Sequence, residues 1–136
     1  MRRIEPERRA SAPLESIALV RFESAGLCLA LEATKIGAMR DPSEAATPSL
    51  AELLELPEVP APPRQRLLEI VHPDWRRYIR VGEPVIHFEL QTRAIQPCPS
   101  LLAARQRANG LRALAWIEEP TGDRLLIILD AWRLPL

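Results

Sequence analysis

Cysteine, glycine and aromatic residues are all scarce in this chain, and each scarcity removes a class of explanation. Two cysteines among 136 residues, Cys28 and Cys98, stand far apart with no neighbouring thiol. They cannot build a disulfide-stapled scaffold or a cysteine-rich zinc site, and reduced thiols acting as small hydrophobes are the expected state. The five glycines form no GxGxxG or GxxxxGK[ST] array, so no phosphate cradle is readable. Aromatics make up only 4% of the chain, which leaves Leu, Ile, Val and Ala to fill the core. Net charge is lacking too, since 18 basic and 18 acidic residues cancel. Without a net positive field, neither a nucleic-acid backbone nor an anionic membrane surface is an expected partner. No apolar run approaches the roughly 20 residues of a membrane-spanning helix. Glu5, Pro6, Glu7, Arg8 and Arg9 stand where a secretory leader would need an apolar stretch. A soluble, cytoplasmic protein with no membrane insertion is the expectation.

What the chain does have is proline, 14 residues concentrated in 42–63 and 84–99, which punctuates many short elements. Its length fits one domain able to bury about two thirds of the surface of the unfolded chain. Residues 1–14 are charged and interrupted by proline, and read as a flexible N-terminal arm; 15–136 read as a single domain. Two hairpins stand out. Ile17 to Phe22 and Leu27 to Leu31 are joined by Glu23–Gly26. Arg112 to Ile117 and Arg124 to Leu129 flank Glu118–Asp123, a loop longer than two residues. In the second hairpin Leu114 and Trp116 oppose Ala113, Ala115 and Ile117, while Leu125, Ile127 and Leu129 oppose Leu126 and Ile128. Strands apolar on both faces belong between two layers.

Between the hairpins, Ala33, Ile36, Gly37 and Met39 or Arg40 fall at helical spacing and predict a short helix, weakened by Gly37. Ser49 and Glu52 form a capping box ahead of Leu50, Leu53 and Leu54, with Pro57 as the stop. Glu58 to Arg64 is an extended connector. Arg66–Val71 and Arg76–Val81 read as strands around a turn at His72–Trp75, with Ile79 and Val81 inward. Val85–Leu90 follows Pro84, with Ile86, Phe88 and Leu90 inward and Val85, His87 and Glu89 outward. Ser100–Ala108 reads as a last short helix ended by Asn109 and Gly110. Six or seven short strands with two or three short helices make a mainly β domain of small-barrel type.

Catalytic and metal-binding constellations are missing. His72 and His87 have no cysteine or second histidine at ligand spacing, Cys98 lies between two prolines, and the carboxylates are scattered. No enzyme, no cofactor and no metal are expected. The arginines at 76, 77, 80, 105, 107, 112 and 124 either gather into a face for an acidic partner or stand dispersed in solvent.

Several segments carry a resemblance. The order Thr92, Ile95, Pro97, Pro99, a polar stretch, an apolar strand, Gly122-Asp123-Arg124 and a last strand with a Leu-ended tail resembles the C-terminal half of CheW-like coupling proteins, adaptors of bacterial chemosensory arrays. Ala18 to Arg40 resembles that family's opening hairpin and short helix, so the likeness brackets the chain. The resemblance implies two packed SH3-like small barrels around a shared core. It also implies a non-enzymatic adaptor that binds the cytoplasmic tip of a methyl-accepting chemoreceptor and a CheA-like histidine kinase. One segment departs from the family: Arg40 runs through residues 41–48 directly into SLAELLELP, where a full-length member carries another strand pair around an Asn-Leu-Arg-Gly turn. The first barrel should therefore be reduced and kinase contact weakened. The chain in this respect resembles the second CheW-like protein of frizzy-type gliding-motility systems.

Lys35 and Ile36 match the family's Lys-aliphatic pair, and with Met39 they are the candidate partner-binding residues beside the receptor groove. The competing reading is that Ile36 and Met39 simply pack the core. The residues also leave open an unrelated SH3-like or OB-like module binding a peptide or single-stranded nucleic acid, for which Trp75, Tyr78 and nearby arginines offer the stacking surface.

Overall fold

The chain, described by a computed structural model over residues 15–42, 47–56, 64–97 and 110–136, is built almost wholly from antiparallel hairpins. The expected arm, most of the proline-rich connector and the helix expected at 100–108 lie outside the described residues. Strands β1 (Ser16–Ser24) and β2 (Leu27–Glu32) form the first hairpin. Its turn is only two residues, Ala25 (φ 52°) and Gly26 (φ 77°). Positive φ at both positions gives the turn the twist that adjoining strands need. Strands β7 (Leu111–Glu119) and β8 (Gly122–Leu129) form the last hairpin, and here too the expected longer loop shrinks to Pro120 and Thr121. Glu118 pairs with Asp123 and Glu119 with Gly122. The ladder is made by backbone groups, so polar tip residues join it as readily as apolar ones.

One expected helix is replaced by a strand. Ala33–Lys35 make a single 3-10 turn, after which Ile36–Arg40 form β3, paired with β4 (Gln65–Val71). Ile36 lies opposite Ile70 but Met39 opposite Leu68, so three steps on β3 match two on β4. Such a bulge brings residues three apart onto one face, which is how a strand came to carry helical spacing. Gly37 belongs to this contact, because a Cβ there would run into the side chains of Glu69 and Val71. The capping box holds: the Ser49 hydroxyl accepts from the Glu52 backbone N–H (3.1 Å), and the Glu52 carboxylate accepts from Ser49 N–H (2.9 Å). The helix it opens, α1, covers only Leu50–Leu53.

The two strands expected around Pro84 are one, β5 (Arg76–Gln91), which continues through a cis Glu83–Pro84 bond. Its first half pairs with β4 and its second with β1. Val85 turns inward against the first core cluster, contrary to expectation. Leu90 and Phe88 belong to a second cluster, and Ile86 is half-buried. A short strand, β6 (Ile95–Pro97), completes the order β3-β4-β5-β1-β2-β8-β7-β6. All neighbours are antiparallel except β2 and β8, which run parallel through Cys28–Ala30 and Leu126–Ile128.

That order wraps around two apolar clusters. The first holds Phe22, Leu29, Leu31, Leu50, Leu68, Ile70, Ile79 and Leu129; the second holds Leu19, Cys28, Ala30, Ala115, Leu126 and Ile128. Strands β1, β2 and β8 contribute to both by alternation, as the doubly apolar pattern of β8 required. On β7 the expectation of two apolar faces fails in part: Ala113, Ala115 and Ile117 are buried, but Trp116 is 57% exposed. Helix α1 sits on the first lobe through Leu50 and Leu54 and is fastened to β5 by the Arg80 N–H donating to the Pro48 carbonyl (3.0 Å). Among the described residues between β3 and α1, no strand is formed. The architecture is mainly β with few short helices.

Candidate functional site

Lys35, Ile36 and Met39 lie on the first lobe, where the 3-10 turn passes into β3. Lys35 is held in place. Its ammonium lies 3.4 Å from Glu32 Oε1 and 3.4 Å from Asp130 Oδ1, and 4.4 Å from the centre of the Trp132 ring. Arg112 joins the same carboxylates, at 3.2 Å from Glu32 and 4.0 Å from Asp130. Four charges therefore pin the start of β3 to the tail that follows β8. With Lys35 largely buried, such a network restrains geometry more than a lone surface pair would.

Ile36 is half-buried against the first cluster, opposite Ile70. Met39 is 46% exposed. The bulge gives both residues the same face, yet only Met39 offers free apolar surface. Core packing accounts for Ile36, and Met39 remains available for contact.

The structure adds neighbours that the sequence did not announce. Asp130 caps a 3-10 turn at Ala131–Arg133 by accepting from the Trp132 N–H (3.0 Å), and Trp132 Nε1 donates to the Val71 carbonyl (2.9 Å). The ring of Trp132, 42% exposed, meets His72 edge-on at 5.0 Å, and His72 stacks on Trp75 at 4.8 Å. His72 is a turn residue, its Nδ1 accepting from the Asp74 N–H (3.0 Å). Lys35 thus ends an aromatic strip, with Arg77 5.4 Å above Trp75 at the far end. The only sequence signal for the strip was the tryptophans themselves; no local rule joins Trp132 to a turn 60 residues earlier.

This arrangement bears on stacking. His72 covers one part of Trp75 and Arg77 lies over its ring, while Arg40 lies 5.7 Å over Tyr78. A nucleobase would have to displace these groups before it could stack. The described arginines are dispersed rather than gathered. Arg76 pairs with Glu69 (3.6 Å), Arg80 donates to the Thr47 carbonyl (2.6 Å), Arg112 joins the Lys35 network, and Arg124 grips Glu23 with two bonds of 2.7 and 2.8 Å. Arg105 and Arg107 lie outside the described residues. Arg124 is raised further above its already high pKa, mainly by its hydrogen bonds to Glu23.

Cys28 is buried in the second lobe, and that burial pushes its thiol up despite the opposing charges of Arg124 and Arg21. A protonated, covered thiol is a core group. Cys98 lies outside the described residues. Among the described residues no group of three or more His, Cys, Asp or Glu side chains is placed to hold a metal ion, and no helix is long and apolar enough to cross a membrane.

No protein-family model matches the chain, and no curated protein matches it in sequence. Its fold is matched among solved structures. The scaffolding protein TtCheW from Thermoanaerobacter tengcongensis superposes with a TM-score of 0.69 over 88% of this chain and 87% of that one, at 9% sequence identity. The chain therefore has a CheW-like fold.

Proposed function

We propose that this chain is a non-enzymatic adaptor of a bacterial chemosensory array, working in the cytoplasm by occupying partner surfaces rather than by turnover. The observation that carries the reading is the CheW-like fold over nearly the whole chain, in agreement with the resemblance read from its two ends. Its first partner is the cytoplasmic helical tip of a chemoreceptor. Met39 supplies exposed apolar contact, Ile36 holds the strand against the core, and Lys35, against the Trp132 ring, fixes the start of β3. An amphipathic helical tip would seat on such a surface through a few buried anchors with charged side chains at the rim.

Contact with a CheA-like histidine kinase is the weaker of the two. Only residues 41–49 separate β3 from α1, which leaves no room for the further strand pair of the resembled family. The shortened first lobe also favours the second CheW-like protein of a gliding-motility system over the principal coupling protein.

Calorimetric titration of a receptor-tip fragment into the full chain tests the reading. Met39→Asp should weaken binding about ten-fold or more while leaving the unfolding midpoint within the range of surface changes. Ile36→Asp should instead lower stability, because a carboxylate would enter the edge of the first core. Undiminished receptor binding by Met39→Asp, or kinase binding stronger than receptor binding in the wild type, would defeat the proposal.

A further inference from the structure

A second exposed apolar surface lies away from the Lys35 strip, on the outer side of the β7–β8 ribbon. Trp116 and Leu125 are directly paired across the two strands and are 57% and 37% exposed. Extending the parallel β2–β8 register by one residue sets Leu27, also 37% exposed, beside Leu125. The three side chains form one row across β7, β8 and β2. They share the face of Ile127 and Leu29, so the row continues the first core outward into solvent. Trp116 is the most exposed large apolar residue described, on a strand whose other face is buried at Ala113, Ala115 and Ile117.

Charge defines one flank of this row. Two residues toward the hairpin tip, on the same face, Glu118 sits directly opposite Asp123. Like charges directly opposed across a ladder destabilise it. Glu119, next in the chain, is neutralised by Arg21 (3.1 Å) and approached by Arg124 (4.0 Å). Among the described residues, Glu118 and Asp123 have no such cation, and both are exposed. Among the described residues, the surface therefore presents an apolar ridge with an acidic border that no cation pairs.

We infer that this ridge docks an amphipathic helix of a partner protein whose apolar stripe is bordered along one side by lysine or arginine. The dimensions fit. Three neighbouring strands set the row at roughly 10 Å, from about 4.8 Å between strands. Helical anchors at i, i+4 and i+7 span about 10.5 Å at 1.5 Å per residue. A helix laid across the strands brings its basic flank over Glu118 and Asp123, about 7 Å from the row at two strand residues. Docking would cover Trp116, an enriched anchor type at interfaces, and relieve the opposed carboxylates. This surface is independent of the Met39 face and would let one adaptor hold two partners at once.

Two synthetic helical peptides test the inference, sharing leucines at i, i+4 and i+7 but carrying either lysines or glutamates along one flank. Titrated into the full chain, the lysine peptide should bind roughly five-fold or more tightly than the glutamate peptide. Trp116→Ser should weaken it about ten-fold or more. The double change Glu118→Lys with Asp123→Lys should invert the preference between the peptides, a result that a merely sticky surface cannot give and that does not depend on Trp116→Ser folding. Equal affinity for the two peptides, or no binding of either, would overturn the inference. So would wild-type self-association in sedimentation velocity that Trp116→Ser abolishes, since a second copy would then be the occupant.

Discussion

Leu126 and Leu129 lie on the same strand but on opposite sides of it, and shortening each to alanine tests whether β8 is packed on both faces. Leu126 is fully buried in the second cluster, and Leu129 is 3% exposed in the first. Removing three carbons from a site of this kind forfeits about 2 kcal/mol of transfer free energy. A residual void of around 50 Å3 adds about 1 kcal/mol. Each substitution should therefore cost about 3 kcal/mol, a fall of roughly 10 °C in Tm for a domain of this size. Leu125→Ala on the same strand, at a partly exposed position, is the internal control and should cost less than about 1 kcal/mol. Urea unfolding followed by tryptophan fluorescence and by far-ultraviolet dichroism should show one coincident transition for all three variants, because β8 belongs to both clusters and neither can melt alone. A cost under 1 kcal/mol for either Leu126→Ala or Leu129→Ala would mean that one face of β8 is not a core face. Two separated transitions would refute the shared strand itself.

Two further predictions rest on single groups. In a Cys98→Ser chain, Cys28 should react with a thiol reagent at pH 8 roughly 100-fold more slowly in the native state than in denaturant, since burial both covers it and disfavours its thiolate; rapid native labelling would show that the second lobe is open. The Glu52 carboxylate is held below its ordinary range, chiefly by the Ser49 backbone N–H and then by the Ser49 hydroxyl. A lowered native pKa stabilises the fold above the ordinary carboxylate range and loses that contribution as pH falls through the lowered value. Ser49→Ala should thus cost about 1 kcal/mol at pH 7 by unfolding measurements, with a smaller difference from wild type below pH 3; a difference that grows on acidification would contradict the capping assignment.

The sequence disclosed the fold wherever a pattern was local or doubly apolar. The alternation of Leu125 to Leu129 foretold a strand between two layers, and Ser49 with Glu52 announced α1 from four residues. Ile36 to Arg40 misled because a bulged strand and a helix both bring residues three apart to one side, and Gly37, read as a weak helix position, is the place where β4 approaches. The sequence places separate strands on either side of Pro84, yet β5 changes partners there and continues. At the candidate site, Lys35, Ile36 and Met39 were legible only through family resemblance. Asp130 and Trp132, which help immobilise Lys35, were not, because contacts across some 95 residues leave no periodic trace.

The parallel pairing of β2 with β8 also shapes how the molecule comes into being. Strand β2 waits for a neighbour nearly a hundred residues later, and Leu129, Ala131 and Leu134 are needed to close the first lobe. Neither half can close before β8 is made, so the nascent protein must keep unsealed apolar edges until that strand threads between β2 and β7. Slow, late and all-at-once folding is the kinetic signature of that insertion, and a chain stopped before Leu126 would lack both lobes together rather than one.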